Sequence, residues 1–176
     1  MKEPTRDRIN RNFELLENLK DSLISNISNL SQEKLQKRPS PNSWNLVEFT
    51  NHLMYVENYA LTQISGNLNQ RIRKPLVDRV RFFVVRRVLA SNMKVKVPVK
   101  AVDPSNCDTS LENTLMKWAQ TRLTLRQLIN NISGDALNYC YFHHPYAGRF
   151  TINDGLVFLI DHWYHHRKQF NTLLDL

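Results

Sequence analysis

Residues 151–174, TINDGLVFLIDHWYHHRKQFNTLL, contain the pattern that decides the fold. Their apolar side chains recur at steps of three and four, which is the spacing of one face of an α-helix. Thr151 stands at an N-cap position and Asp154 follows three residues later, so the first turn is capped. We therefore expect a long helix whose apolar face includes Leu156 and Phe170.

The same period occurs in three other long segments of the chain. They predict helices at residues 5–30, 45–66 and 109–134. The second helix opens with a capping box formed by Asn45 and Glu48, and the third opens with another formed by Thr109 and Glu112. Four long helices of this kind favour an all-α four-helix bundle.

The connections between these helices are unequal in length. Residues 76–90, LVDRVRFFVVRRVLA, predict a short extra helix between helices 2 and 3, although VRFFVV is also compatible with a strand. The stretch that follows, at 93–108, contains two prolines and predicts a long irregular connection. Before the last helix, YCYFHHPYAGRF at 139–150 is rich in aromatic residues, and Pro145 and Gly148 exclude a continuous helix there.

Length and composition exclude several classes of protein. A chain of 176 residues predicts one domain, 1–176, and 41% apolar residues are enough for a core. Cys107 and Cys140 are too few for a disulfide scaffold. No stretch reaches the roughly 18 apolar residues that a membrane-spanning helix needs, so we expect a soluble, cytoplasmic protein without membrane insertion.

Positive charge is concentrated in one part of the chain. The net charge is +8, and residues 71–100 contain ten lysines and arginines but one acidic residue, Asp78. Such a segment either borders a binding site for an anionic substrate or forms a solvated helix face. No nucleic-acid-binding motif accompanies it, so a nucleic-acid partner is not expected.

The six histidines are the most informative residues for function. His162 and His166 are four residues apart, so both imidazoles project from one face of the last helix. His52 lies on the same side of the second helix as the apolar residues Phe49 and Val56. Two helical imidazoles can bind one metal ion, and a third from a facing helix completes a divalent metal site at one end of the bundle.

Other interpretations of these residues remain open. A histidine on an apolar face is often a hydrogen-bonded core residue rather than a ligand. Glu48 lies one turn before His52, but its part in the capping box already explains it. His165 lies about 100° around the helix from His166 and shares that face only in part.

Three motifs together resemble the DinB-like superfamily, including its YfiT-type members. They are LQKRPSPNSWNLVEFTNHLMYVE at 35–57, HPYAGRFT at 144–151 and DHWYHHRKQF at 161–170. The resemblance extends over essentially the whole chain. It implies a four-helix bundle with a divalent ion (zinc, nickel, iron or manganese) at one end. The ligands then map to His52, His162 and His166.

The resemblance also implies a range of activities. Members of the superfamily include metal-dependent hydrolases and enzymes that transfer a low-molecular-weight thiol to electrophiles, and many form homodimers. We therefore expect a small-molecule substrate and a metal-activated nucleophile. His144, in the HPYAGRFT segment, and His165 are the candidate catalytic residues for proton transfer. The alternatives are a non-catalytic module that binds a small ligand through the metal and an interaction module of the stress response.

Overall fold

The computed structural model describes residues 5–91, 110–132 and 134–176. The helices in these residues are α1 (Thr5–Ile27), α2 (Gln32–Gln36), α3 (Leu46–Gly66), α4 (Leu76–Ala90), α5 (Leu111–Asn131) and α6 (Ile152–Leu174). Two strands, β1 (Cys140–His144) and β2 (Gly148–Thr151), and a 3₁₀ turn at Ala136–Asn138 precede α6. The predicted long connection at 93–108, with Cys107, lies outside the described residues.

The four long helices α1, α3, α5 and α6 form the bundle, so the predicted fold class is confirmed. Helix α1 packs on α6, and α3 packs on both α5 and α6. Helix α4 is the short extra helix that was predicted between the second and third long helices, and it packs on the outside of α6. Within the described part of the chain, no helix is long and apolar enough to cross a membrane.

Local capping explains where three of these helices begin. Both halves of the capping box are present at Asn45 and Glu48, and at Thr151 and Asp154, as the sequence predicts. Helix α5 differs, because its N-cap is Ser110, whose hydroxyl accepts a hydrogen bond from the backbone of Asn113. The cap therefore lies one residue after the predicted position, and the predicted residue itself lies outside the described part.

Three local features differ from the sequence prediction. Helix α1 ends at Ile27 rather than near residue 30, and Ser31 then caps the unpredicted five-residue helix α2. The aromatic segment before α6 is a β-hairpin: β1 pairs antiparallel with β2, with Phe142 opposite Phe150. In the described residues, the regular secondary structure is helical apart from this hairpin and one isolated bridge between Arg73 and Tyr139.

The hairpin is tied closely to α4. Gly148 has a positive φ of 75°, and a Cβ added there would lie 2.1 Å from a carboxylate oxygen of Asp78. The other oxygen of Asp78 accepts a hydrogen bond from the backbone N–H of Arg149 at 3.1 Å. Glycine permits both the turn and the close approach of the carboxylate, which fixes the hairpin against the first turn of α4.

The core includes one buried ion pair between α3 and α5. Arg122 and Glu57 are only 3% and 4% exposed, and the guanidinium donates from Nε and Nη2 to the two carboxylate oxygens. The indole N–H of Trp118 donates to the same carboxylate, and Nη1 of Arg122 reaches Glu17 on α1. Because each charge is paired and hydrogen-bonded, the network holds three of the bundle helices in register.

Candidate metal centre

Three histidine nitrogens converge where α3 faces α6. Nε2 of His162 lies 3.2 Å from Nε2 of His52 and 3.2 Å from Nε2 of His166. Of the described residues, these three histidines form the one group of histidine, cysteine or acidic side chains with the spacing of a metal site. His52 is buried, whereas His162 and His166 are partly exposed.

The helices bring these nitrogens together for simple geometric reasons. His162 and His166 are one turn apart on α6, and the packing of α6 on α3 turns their side of the helix toward His52. His52 is in the second turn of α3 and reaches His162 on α6. The three histidines that the sequence grouped therefore lie together between α3 and α6.

Two of the three spacings fit a tetrahedral metal ion, and all three candidate ligand atoms lie within 4.8 Å of one another. Two nitrogens bound to zinc at 2.0–2.1 Å in tetrahedral geometry lie about 3.3 Å apart. The two short separations, both 3.2 Å, agree with that value. A neutral imidazole has a single N–H, so hydrogen bonds among three converging nitrogens cannot satisfy all of their lone pairs, whereas one cation can.

Gln169 sets the tautomer of His166. The Nδ1–H of His166 donates to Oε1 of Gln169 at 3.0 Å. The Nε2 atom of the neutral ring therefore carries a lone pair, and it faces His162. Metal-binding histidines generally donate their other N–H in this way, which fixes the ring and raises its basicity. Sequence reasoning assigned no role to Gln169. Its position three residues after His166, within reach on the same helix face, is the signal that indicates one.

Burial keeps the site neutral. Loss of hydration lowers the pKa of His162 well below its usual value, and His166 and His52 lower it further. Loss of hydration and the neighbouring His52 lower the pKa of His166 to about 3, against the opposing effect of the hydrogen bond to Gln169. At neutral pH both imidazoles are therefore in the uncharged form that binds metals.

Aromatic rings surround the three imidazoles. The Trp44 ring lies 4.7 Å from that of His52 and 6.0 Å from that of His166. Phe158 stacks against His162 with its centroid 5.8 Å away, and Phe49 meets His166 edge-on. These rings limit the access of water to the three imidazoles.

His165 lies beside the cluster without joining it. Its Nδ1–H donates to the backbone carbonyl of Leu89 at 3.0 Å, close to the end of α4. Its ring centroid is 5.0 Å from that of His166. In the neutral form this hydrogen bond leaves the lone pair at Nε2.

His144 is the last residue of strand β1, in the segment where the sequence excludes a continuous helix. Its Nδ1 accepts hydrogen bonds from the backbone N–H groups of Tyr146 and Ala147, and its ring stacks on Phe150. Phe158 contacts both His144 and His162, so one ring separates His144 from the cluster. Burial, together with the nearby His143, lowers the pKa of His144 to about 4.

Part of the basic segment lies close to the histidines. Arg86 on α4 donates to both carboxylate oxygens of Asp161, at 2.5 and 3.4 Å, and Asp161 directly precedes His162. Residues 92–100 of the segment lie outside the described part.

Cys140 is buried, which raises its thiol pKa to about 11, so it is a packing residue rather than a nucleophile.

The fold and the site together define a class: helical bundles with a three-histidine centre between two long helices. A sequence profile of the DinB superfamily, DinB_2, matches residues 12–170, and the chain belongs to this superfamily. None of the curated proteins compared with the chain is significantly similar to it in sequence.

A solved structure has the same fold. It is that of YfiT from Bacillus subtilis, described as a probable metal-dependent hydrolase with an unusual four-helix bundle topology. The TM-score is 0.62 at 11% identity, and the match covers 94% of this chain and 85% of YfiT. At that identity the similarity establishes the architecture alone.

Proposed function

We propose that the protein is a divalent-metal-dependent enzyme acting on a small molecule, with the metal ion held by His52, His162 and His166. The convergence of three Nε2 atoms, with two separations of 3.2 Å, is the observation that carries the proposal. The fixed tautomer of His166 supports it, because Gln169 leaves the ligand atom unprotonated. The metal identity among zinc, nickel, iron and manganese stays open.

Three neutral protein ligands would leave a bound ion with its full charge and with open coordination positions. An ion held in this way lowers the pKa of a water or thiol that binds to it. The aromatic rings of Trp44 and Phe158 limit water around the ligands, which strengthens electrostatic interactions there. The three histidines hold their positions through the packing of α3 on α6.

We assign catalytic roles to two other histidines. The Nδ1–H of His165 is held by the carbonyl of Leu89, so its Nε2 lone pair is a candidate proton acceptor beside the centre. His144 has the opposite arrangement, because its Nδ1 accepts two hydrogen bonds and its neutral ring carries the proton at Nε2. It is therefore the candidate hydrogen-bond donor to a reacting group, because a neutral imidazole keeps that proton near neutral pH.

Hydrolysis is the reaction that we propose, since a water nucleophile needs nothing beyond the ion and a proton acceptor. Support comes from the fold shared with YfiT, which is described as a probable metal-dependent hydrolase. Transfer of a low-molecular-weight thiol to an electrophile is the second candidate, because an open metal position accepts a thiol as readily as water. Metal-dependent binding without turnover is the non-catalytic alternative.

Metal content tests the centre itself. Protein purified without a polyhistidine tag should contain about one equivalent of a divalent metal, as three-ligand sites do. In His166→Ala the content should fall sharply, whereas His143→Ala, which removes an exposed histidine outside the cluster, should leave it unchanged. Absence of binding by the wild type in titrations with zinc, nickel, iron and manganese would overturn the proposal.

Turnover assays separate the candidate reactions. A panel of esters and amides, and a second panel of electrophiles with small thiols, should be assayed with the metal-loaded and the chelator-treated protein. Metal-dependent hydrolysis supports our proposal, and turnover that requires a thiol supports transfer instead. Ligand binding that depends on metal but never leads to turnover identifies the non-catalytic module.

Two further expectations stay predictions. An anionic substrate is favoured if α4 borders the site, and replacing Arg86 and Arg87 by glutamine should then raise KM with metal content unchanged. Because Arg86 is already paired with Asp161, Arg87 is the residue expected to contribute most to substrate binding.

The family resemblance implies a homodimer. Analytical ultracentrifugation measures the mass of the protein in solution and so tests this prediction.

A further inference from the structure

A cavity of about 450 Å³ lies at the start of α6, away from the histidine cluster. Asp154 lines it, and Asp154 precedes His162 by eight residues, or about 12 Å along the helix. Four basic side chains line the same cavity: Arg8, Arg73, Lys74 and Arg79. The apolar side chains of Phe82 and Leu137 form another part of its wall.

The positive charge in this cavity exceeds the negative charge. Asp154 is the single acidic residue in the lining, and its Oδ2 atom already binds the ammonium of Lys74 at 3.0 Å. The same oxygen accepts hydrogen bonds from the backbone and hydroxyl of Thr151. Three arginines are therefore left without an acidic partner among the residues that the structure describes, at 5–91, 110–132 and 134–176.

Lys74 has its partners, whereas one buried donor of Arg8 points to a ligand. The side chain of Lys74 is only 9% exposed and is held over the rings of Phe82, at 4.1 Å, and Phe150, at 5.4 Å. The Nε–H of Arg8 is buried and has no hydrogen-bond partner in the described part of the chain. Buried donors are rarely left unpaired in folded proteins, so an acceptor is expected at this position.

We propose that this cavity binds a small organic molecule carrying a phosphate or pyrophosphate group. The three arginines without an acidic partner match an anion of two or more negative charges, and a guanidinium group can donate two parallel hydrogen bonds to phosphate oxygens. The cavity volume falls within the range of metabolite pockets, about 300–1,000 Å³. Phe82 and Leu137 offer an apolar surface to the organic part of the ligand.

Titration calorimetry with sodium pyrophosphate at constant ionic strength tests this proposal. The wild type should show saturable binding at one site. Arg79→Gln removes an exposed lining residue and should weaken that binding about tenfold or more, as expected for loss of a charge-assisted hydrogen bond. Arg126→Gln makes the same charge change on α5, outside the cavity lining, and should alter the affinity by less than about twofold.

A second variant separates this cavity from the metal centre. His166→Ala should keep the pyrophosphate affinity, because the anion does not bind through the metal, and Arg79→Gln should keep the metal content of the wild type. Absence of saturable binding by the wild type overturns the proposal. Equal weakening by Arg79→Gln and Arg126→Gln also overturns it, since that result indicates attraction to overall charge. Loss of binding in His166→Ala would assign the anion to the metal centre.

Discussion

His166 donates its Nδ1–H to Oε1 of Gln169, three residues further along α6, at 3.0 Å. This bond orients one imidazole of the histidine cluster and fixes the position of its proton. Gln169→Ala should therefore lower metal affinity by about 10–100-fold, the usual effect of losing such a partner. Competition with a chromophoric chelator measures the change. Lys168→Ala, which alters the exposed neighbouring residue, should leave the affinity unchanged, and an equal loss in both variants would contradict this role for Gln169.

Acid should destabilise the metal-free protein, and His144 should contribute to this effect together with His162 and His166. The pKa of His144 is lowered to about 4 in the folded protein from an ordinary value of 6.5. Between these values the unfolded chain binds more protons than the folded one, so the free energy of unfolding should fall as the pH drops below 6.5.

Urea unfolding across this pH range measures that dependence. His144→Phe retains an aromatic ring against Phe150 and should reduce the slope by up to about one proton, because the titrating group is gone. His143→Gln, at the exposed neighbouring position, should keep most of the slope. The prediction is wrong if the two variants and the wild type show the same pH dependence.

The two ion pairs of Arg122 and Arg126 on α5 should differ greatly in their effect on stability. Glu57→Gln leaves the buried guanidinium of Arg122 without its main partner and should cost about 3–5 kcal/mol. Glu14→Gln breaks the exposed pair with Arg126 and should cost about 0–1 kcal/mol. Chemical denaturation of both variants gives the comparison, and similar costs would show that burial is not the deciding factor.

Two glycines should respond in opposite directions to substitution by alanine. Gly148→Ala places a Cβ against the carboxylate of Asp78 at a positive φ, so we expect a loss of at least about 1–2 kcal/mol. Gly155 is inside α6 with no atom within 4 Å of an added Cβ, so Gly155→Ala should stabilise the protein by up to about 1 kcal/mol. Thermal unfolding of the two variants gives the signs directly.

Helical periodicity and capping residues predict most of this fold. The caps at Asn45 and Thr151 come from side chains that bond to their own first turn, so the information is local and visible in the sequence. The hairpin was not predicted, although β1 and β2 pair within one segment, because part of what stabilises it lies outside that segment. Its turn requires Gly148, and the carboxylate of Asp78, 70 residues earlier, holds it in place.

The candidate site was predictable to a similar degree. The spacing of His162 and His166 and the apolar face around His52 were enough to group the three residues. The tautomer of His166 and the hydrogen bond from His165 to Leu89 were not predictable, because both depend on atomic positions that no pattern encodes. Sequence distance likewise did not indicate that Arg86 pairs with Asp161.

The wide separation of the candidate ligands in sequence implies that folding precedes metal binding. His52 and His162 are 110 residues apart, so their nitrogens meet only after α3 and α6 have docked. Before the two helices dock, an ion could bind to His162 and His166 but not to all three histidines. High affinity for the proposed ion therefore requires the folded bundle. Two apolar clusters and the buried pair between Arg122 and Glu57 hold the bundle together through contacts that do not include the three histidines. We therefore expect the proposed ion to bind a bundle that has already formed, and its removal to leave the helices folded.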